Sequence, residues 1–307
     1  MKTMKLVIPT LILSLLLGGC SILNDDHQSN AATKKEQEKQ SDSQFISVQK
    51  YTGQGYSLPY GEENDKIAKA HRDEVVKAAE KFFLKKYKTK VKVHNLVGNR
   101  DGVTVFVESI GEPHFYTYAV VPINEKKIDT DNVFSEEGQV EDAIRTGIYA
   151  MIYDKEFQNL NNYLENFVSK YPVVGLNQKA VENVDGNGYS TPYYYLSISK
   201  DAFSMDIIKK YLNNPTFSKD DWKKITKNVY VYPKEIYVTL QFFMKNPSTK
   251  PSEAIFKKIV SDIQNNKDLP PGAYSVLLHD NRIGKDSATG SKDNSIELKD
   301  RDEIIKQ

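Results

Sequence analysis

Among residue types that do chemistry, this sequence offers five histidines, His27, His71, His94, His114 and His279, and none stands near another at a metal spacing such as His-Glu-x-x-His. His71 falls on the apolar side of a helical pattern, where a hydrogen-bonded structural histidine is the plain expectation. Gly111-Glu112-Pro113-His114-Phe115-Tyr116-Thr117-Tyr118 is richer in chemistry. On a strand it sets His114, Tyr116 and Tyr118 on one face, close after Glu112. That face is either the polar outside of a sheet edge or a place to hold a ligand. Tyrosine is in excess at 19 residues, with Tyr193-Tyr194-Tyr195 consecutive. Its ring gives rigid amphipathic contact area at low entropic cost, so Tyr193 and Tyr195 join the candidate binding residues, against the plainer reading that they line half-buried strands.

Other motifs begin and then fail. Asn183-Val184-Asp185-Gly186-Asn187-Gly188-Tyr189 starts like a calcium loop, but Tyr194 stands where the bidentate Glu is needed, and a Gly/Asn turn is expected. Ser47-Val48-Gln49-Lys50 matches Ser-x-x-Lys without the partner motifs of that chemistry, and no Gly-x-Ser-x-Gly occurs. Gly53-Gln54-Gly55 lacks the third glycine and the preceding strand of a dinucleotide site. The acid pairs Glu136-Glu137 and Asp220-Asp221 sit at expected helix starts, where the macrodipole accounts for them. No catalytic residue, metal or cofactor is therefore assigned.

The single cysteine has no partner for a disulfide, and its position explains it. Lys2 and Lys5 precede an apolar run from Leu6 to Leu17, which is long enough for a signal h-region and short of the ~20 residues that span a bilayer. Leu17-Gly18-Gly19-Cys20 follows and resembles the lipobox of bacterial lipoproteins. That resemblance implies cleavage between Gly19 and Cys20 and acylation of the Cys20 thiol. Residues 1–19 are then a signal peptide and 20–50 a lipidated cysteine with a polar tether. As a flexible coil such a tether holds its load on the order of 25–30 Å from the lipid.

Composition bounds the rest. Hydrophobic residues at 39% and charged residues at 27% are ordinary for a water-soluble folded body. The 42 basic and 41 acidic residues, with Lys2 and Lys5 leaving in the signal, give a nearly neutral mature chain, and the densest basic cluster is only Lys86, Lys88, Lys90 and Lys92. A nucleic-acid partner is not expected.

Helical spacing of Ile67, His71, Val75, Ala79, Phe82, Phe83 and Tyr87 predicts one amphipathic helix over 65–88. Val91, Val93, Val97 and Val103, Val105, Val107 alternate around Asn99-Arg100-Asp101-Gly102 and predict a hairpin, with a third strand over 114–123. Helices are expected over 139–153 and 157–171, with Asp154 able to cap the second. Beyond them the pattern reads strand 193–199, helices 202–212 and 219–226, strands 229–232 and 235–243, helix 252–265 and strand 273–279. The fold class is α+β: antiparallel sheets with amphipathic helices on one face, open to a reading as two similar α-β-β subdomains. The globular part is set at 51–280 with a subdivision near 172–190, and 281–307 is expected to be a loose polar tail.

With the lipobox, Tyr51-Thr52-Gly53-Gln54-Gly55-Tyr56, the segment from Val107 to Tyr118 and Ser135-Glu136-Glu137-Gly138-Gln139-Val140 in view, the chain resembles a family of uncharacterised lipoproteins of Gram-positive bacteria. The resemblance runs nearly end to end and brings no catalytic residue with it. It implies the extracytoplasmic face of the cell membrane, reached through lipid on Cys20. The expected role is a non-enzymatic module that binds an envelope, wall or host ligand. The alternative is a hydrolase-like envelope enzyme whose site is assembled from distant residues such as Glu112, His114 and Tyr116.

Overall fold

Val103, Val105 and Val107 join the main hydrophobic core, while Thr104, Phe106 and Glu108 alternate with them onto the opposite face, and this alternation decides which side of the first sheet is core. The computed structural model describes residues 44–291, 294–298 and 303–307; the expected signal, Gly19, Cys20 and most of the expected tether lie outside the described residues. Phe45–Ser47 forms β1, ahead of a 3-10 turn at Val48–Lys50. The helix predicted over 65–88 is two helices, α1 (Glu62–Ala70) and α2 (Arg72–Tyr87). The break is at His71, whose backbone (φ −117°, ψ 32°) leaves the helical region. His71 is consequently exposed, facing Glu74 at 3.5 Å, and does not sit on the apolar side.

β2 (Val91–Gly98), β3 (Gly102–Ser109), β4 (Tyr116–Asn124) and β5 (Lys127–Ile128) form an antiparallel meander. Asn99 closes the first turn by accepting the N–H groups of Asp101 and Gly102, both at 2.8 Å. The inner face of this sheet packs against α2 and against α3 (Gln139–Ile152). Every residue of α3 from Ala143 to Met151 is buried, because the first sheet lies on one side of it and later elements on the others. Ile144 and Ile148 are fully buried there, each contributing ~1.5–3 kcal/mol of transfer free energy.

α4 (Asp154–Lys170) follows directly. Asp154 does not cap it: the residue lies inside the first turn and pairs with Lys223 at 2.5 Å. Next come β6 (Val173–Val174), α5 (Gln178–Val184), β7 (Tyr194–Ile198), α6 (Ile207–Asn213) and α7 (Lys219–Thr226). β8 (Ile236–Met244), α8 (Glu253–Asn265) and β9 (Gly272–His279) make a strand–helix–strand unit, and β8 and β9 run parallel. The crossover helix is what a parallel pair requires. β6 and β7 share one edge of β8 and are antiparallel to it.

The segment expected to be a loose tail is part of the fold. β10 (Arg282–Gly284) pairs with β1, while β11 (Ser295–Glu297) and β12 (Ile304–Lys306) both pair with β9. Short strands on an edge need little apolar sequence, because the existing strand supplies the partner groups. The fold class is α+β as read from the pattern, with two differences. The second sheet is mixed, so the halves are not two copies of one α-β-β unit, and Asp42–Gln307 is one compact unit with no boundary at 172–190.

Candidate functional site

The outer face of the first sheet carries three cross-strand pairs, Thr104 with Val120, Phe106 with Tyr118, and Glu108 with Tyr116. One end of this row is sealed and the other is open. The sealed end begins with a bulge in β2, where the register shifts between Val93 and Asn95. A bulge turns two successive side chains to one side of the sheet. His94 thus reaches Glu108, and Asn95 donates to the Asn183 carbonyl at 2.9 Å.

Glu108 receives two imidazoles, His94 Nε2 on Oε2 at 2.8 Å and His114 Nε2 on Oε1 at 2.9 Å. A carboxylate accepts only, so both rings donate from Nε2. Burial pushes the Glu108 carboxyl upward, but the hydrogen bonds from His114 and His94 outweigh it and hold the group below the usual carboxylate range. The His94 side chain is only 6% exposed, and its Nδ1 faces Glu182 of α5 at 3.7 Å. Tyr116, 2% exposed, accepts from Gln178 of α5 at 3.1 Å. Burial, followed by the Glu108 carboxylate, raises its hydroxyl far above the ordinary tyrosine range, so it keeps its proton. α5 therefore closes this end, capped at its own start by the Asn177 side chain on the Lys179 N–H.

Gly147 of α3 sets where His114 can be. A Cβ there would stand 2.6 Å from the His114 carbonyl oxygen, so only glycine lets the helix approach this closely. His114 rests edge-on against Tyr116 and Tyr189, with centroids at 5.2 and 5.8 Å.

At the open end the same face floors a cleft of ≈ 470 Å³. Thr104, Phe106, Tyr118 and Val120 form its floor, and Arg100 and Asp101 come from the β2–β3 turn. Phe134 and Glu136 stand at one side, with Gly186 and Asn187 at another. The segment 51–61 straps across it. Tyr56 meets Phe106 edge-on at 5.7 Å, and Arg100 lies over the Tyr60 ring at 4.6 Å. The strap is seated where Gly61 crosses Gly98: a Cβ on Gly61 would be 1.9 Å from the Gly98 carbonyl oxygen. Burial and then the Glu136 carboxylate raise the Tyr118 hydroxyl. The loop read as a failed calcium motif is the cleft wall. Its Asp185 accepts from the Asn187 N–H at 2.8 Å, and burial raises that carboxyl.

The candidate residues of the sequence thus separate. His114 and Tyr116 meet at the sealed end, although His114 precedes the strand predicted to carry it. Tyr118 lines the cleft. Glu112 is exposed and faces Lys219 at 3.4 Å, whereas the His114 Nε2 is turned to Glu108 and the Tyr116 hydroxyl to Gln178. Tyr193, just ahead of β7, packs on Phe242, and Tyr195 of β7 pairs with Thr239; neither lines the cleft. His94, Glu108, Gln178 and Glu182 were missed, and the one available signal was the cross-strand proximity of His94 and Glu108 in the predicted hairpin. Among the described residues no group of three or more His, Cys, Asp or Glu is placed to hold a metal ion.

A family model described as a protein of unknown function, DUF1672, matches residues 38–306. The chain belongs to the DUF1672 family. Its fold is similar to the crystal structure of a DUF1672 family protein from Staphylococcus aureus subsp. aureus Mu50, with a TM-score of 0.68 at 21% identity over 86% of this chain and 98% of that one. No curated protein matches the DUF1672 chain. The family description carries no activity, and what can be read of function lies in the cleft and the cluster behind it.

Proposed function

We propose that this DUF1672 chain is a non-enzymatic ligand-binding module held at the outer face of the cell membrane by lipid on Cys20. The observation that carries the binding reading is the open cleft, where Tyr60 and Phe134, 71% and 41% exposed, stand beside the polar side chains of Arg100, Asp101, Glu136 and Asn187. Pockets that bind small molecules combine apolar walls with a few orienting polar groups, and this volume falls within their ~300–1,000 Å³ range. The sealed cluster serves the cleft as a clasp, since α5 is held to the sheet through Gln178 and Glu182 and leads into the wall at Gly186 and Asn187.

The anchor reading is supported by the charged, apolar and lipobox segments of residues 1–20. No helix among the described residues is long and apolar enough to cross a membrane; the proposed attachment is through acyl chains, each buried methylene contributing ~0.8 kcal/mol. Two measurements test the pair of claims. Full-length Cys20→Ser protein is expected to leave the membrane pellet, and sedimentation like the parent overturns the anchor. Envelope-derived fractions added to the full chain in detergent micelles are expected to raise its Tm by mass action. If no fraction does so, the binding reading fails.

A further inference from the structure

We infer that the cleft takes an uncharged saccharide. This rests on the reading of the cleft as a ligand seat and adds the chemical class of what sits in it. A sugar ring has two kinds of surface, a face of C–H groups that lies on an aromatic ring and an edge of hydroxyls that needs paired donors and acceptors. The cleft supplies both. Tyr60 and Phe134 offer exposed rings, and aromatic contact of this kind supplies area without much loss of side-chain freedom.

For the hydroxyl edge there are four planar two-pronged side chains, Arg100, Asp101, Glu136 and Asn187. Among the described residues none of the four forms an ion pair; Arg100 rests over the Tyr60 ring with its N–H edge still available, and Glu136 meets the Tyr118 hydroxyl, itself part of the cleft, with one carboxylate oxygen to spare. Asn99, by contrast, is used up in closing its turn. A guanidinium, two carboxylates and an amide can each bridge neighbouring hydroxyls with two hydrogen bonds.

The charges argue against ionic ligands. A polyanion entering beside Arg100 would meet Asp101 and Glu136, and a cation seeking the Tyr60 ring would be repelled by Arg100, which holds one face of that ring and leaves the rest of the 71% exposed residue to a neutral ligand. The floor argues against a peptide. β3 is paired on both sides, by β2 and by β4, so the cleft offers side chains and no row of free main-chain groups to which an extended peptide could add. A neutral polyol fits what remains.

The test is a glycan array of neutral oligosaccharides probed with the full-length chain in detergent micelles, followed by calorimetric titration of each hit. A neutral tetrapeptide and a glycerol phosphate oligomer are titrated alongside. Binding of at least one oligosaccharide is expected, weakened about tenfold or more by Tyr60→Ala, as for an exposed anchor ring. Phe134→Ala carries the same test should the first variant melt early. If the peptide or the phosphate oligomer binds in a Tyr60-dependent way and no sugar does, the saccharide inference is overturned while the module reading stands. Sugar binding that neither variant weakens overturns the placement in this cleft. If no envelope fraction raises the Tm either, both readings fall together.

Discussion

At the sealed end of the first sheet, His94 and His114 both give their Nε2 protons to one carboxylate, Glu108. At the end of β9, His279 is engaged just as fully but by neutral groups: Gln241 donates to its Nε2 at 3.1 Å and its Nδ1 donates to Ser295 Oγ at 2.5 Å. Ser295 passes its own proton to the Ser291 carbonyl at 2.6 Å, which fixes the direction of the chain of bonds. Burial lowers His279 to about 4 even though Asp280 pulls the other way. Hence one region keeps a negative charge under cover and the other keeps a neutral ring. The partner atoms decide which, since a carboxylate can only accept and an amide facing a bare nitrogen can only give.

The largest effect is expected from breaking the first arrangement. Glu108→Ala strips both imidazole N–H groups of their acceptor, and His94 is too covered for water to replace it fully. Hydrogen bonds to a charged group contribute ~1.5–3 kcal/mol each, and water can replace the acceptor only at His114, whose side chain is 31% exposed, so a loss of about 3 kcal/mol is expected, read as a lower urea midpoint at unchanged slope. A loss below about 1 kcal/mol would mean that solvent enters the cluster and that the end is not sealed. Loss of the clasp should also weaken whatever the cleft binds, because α5 no longer holds its wall.

The second effect comes from pH and separates the two regions. His279 titrates at 6.5 when unfolded and about 4 when folded. Its contribution is present in full above about pH 6.5 and is lost as pH falls toward 4, because there the unfolded chain binds the extra proton. At pH 5 the loss is about 2 kcal/mol relative to pH 7.5. Glu108 is depressed from 4.5, so its contribution is lost only as pH falls through a still lower value. Urea melts at pH 7.5 and pH 5 therefore report on His279 and leave Glu108 out. Gln241→Glu would give His279 a carboxylate partner like that of His94, and the drop between the two pH values should shrink. An unchanged drop would show that another group causes it.

The first sheet was largely legible in sequence. Alternating valines and the Asn99–Gly102 turn placed both strands within a residue or two, because a half-buried strand must alternate and a tight turn must have its Asx residue. The cluster was not legible, for a reason visible at His94. Strict alternation turns His94 outward and Asn95 inward, while the bulge turns both outward, and nothing in the residues from Val93 to Asn95 announces an extra residue. Glu182 and Gln178 arrive on a seven-residue helix far along the chain, too short for a period to be seen. The strands after Arg282 were hidden because their pairing depends on the edge of β9 and of β1 and on no apolar pattern of their own. His71 was misplaced because the kink that exposes it is a backbone event between two stretches of good helical sequence.

The smallest effect tests whether the second region can repair itself. Ser295→Ala removes the hydroxyl that accepts from His279 Nδ1, which would leave a donor unpaired inside a ring that is 7% exposed. His279 has an escape that is closer to hand than any in the first cluster. Its proton can move to Nε2 while the Gln241 amide turns its oxygen toward the ring, so that one good hydrogen bond is kept and Nδ1 is left as a bare acceptor. The cost should then be about 1 kcal/mol at pH 7.5, near that of one net hydrogen bond. In the first cluster the exchange is poorer, because the one carboxylate that His94 could turn to, Glu182, stands 3.7 Å from its Nδ1, and losing Glu108 takes the acceptor from both rings at once. Denaturation of Ser295→Ala beside Glu108→Ala measures that asymmetry. Equal losses in the two variants would mean that the amide at Gln241 is pinned and that the neutral region is as brittle as the charged one.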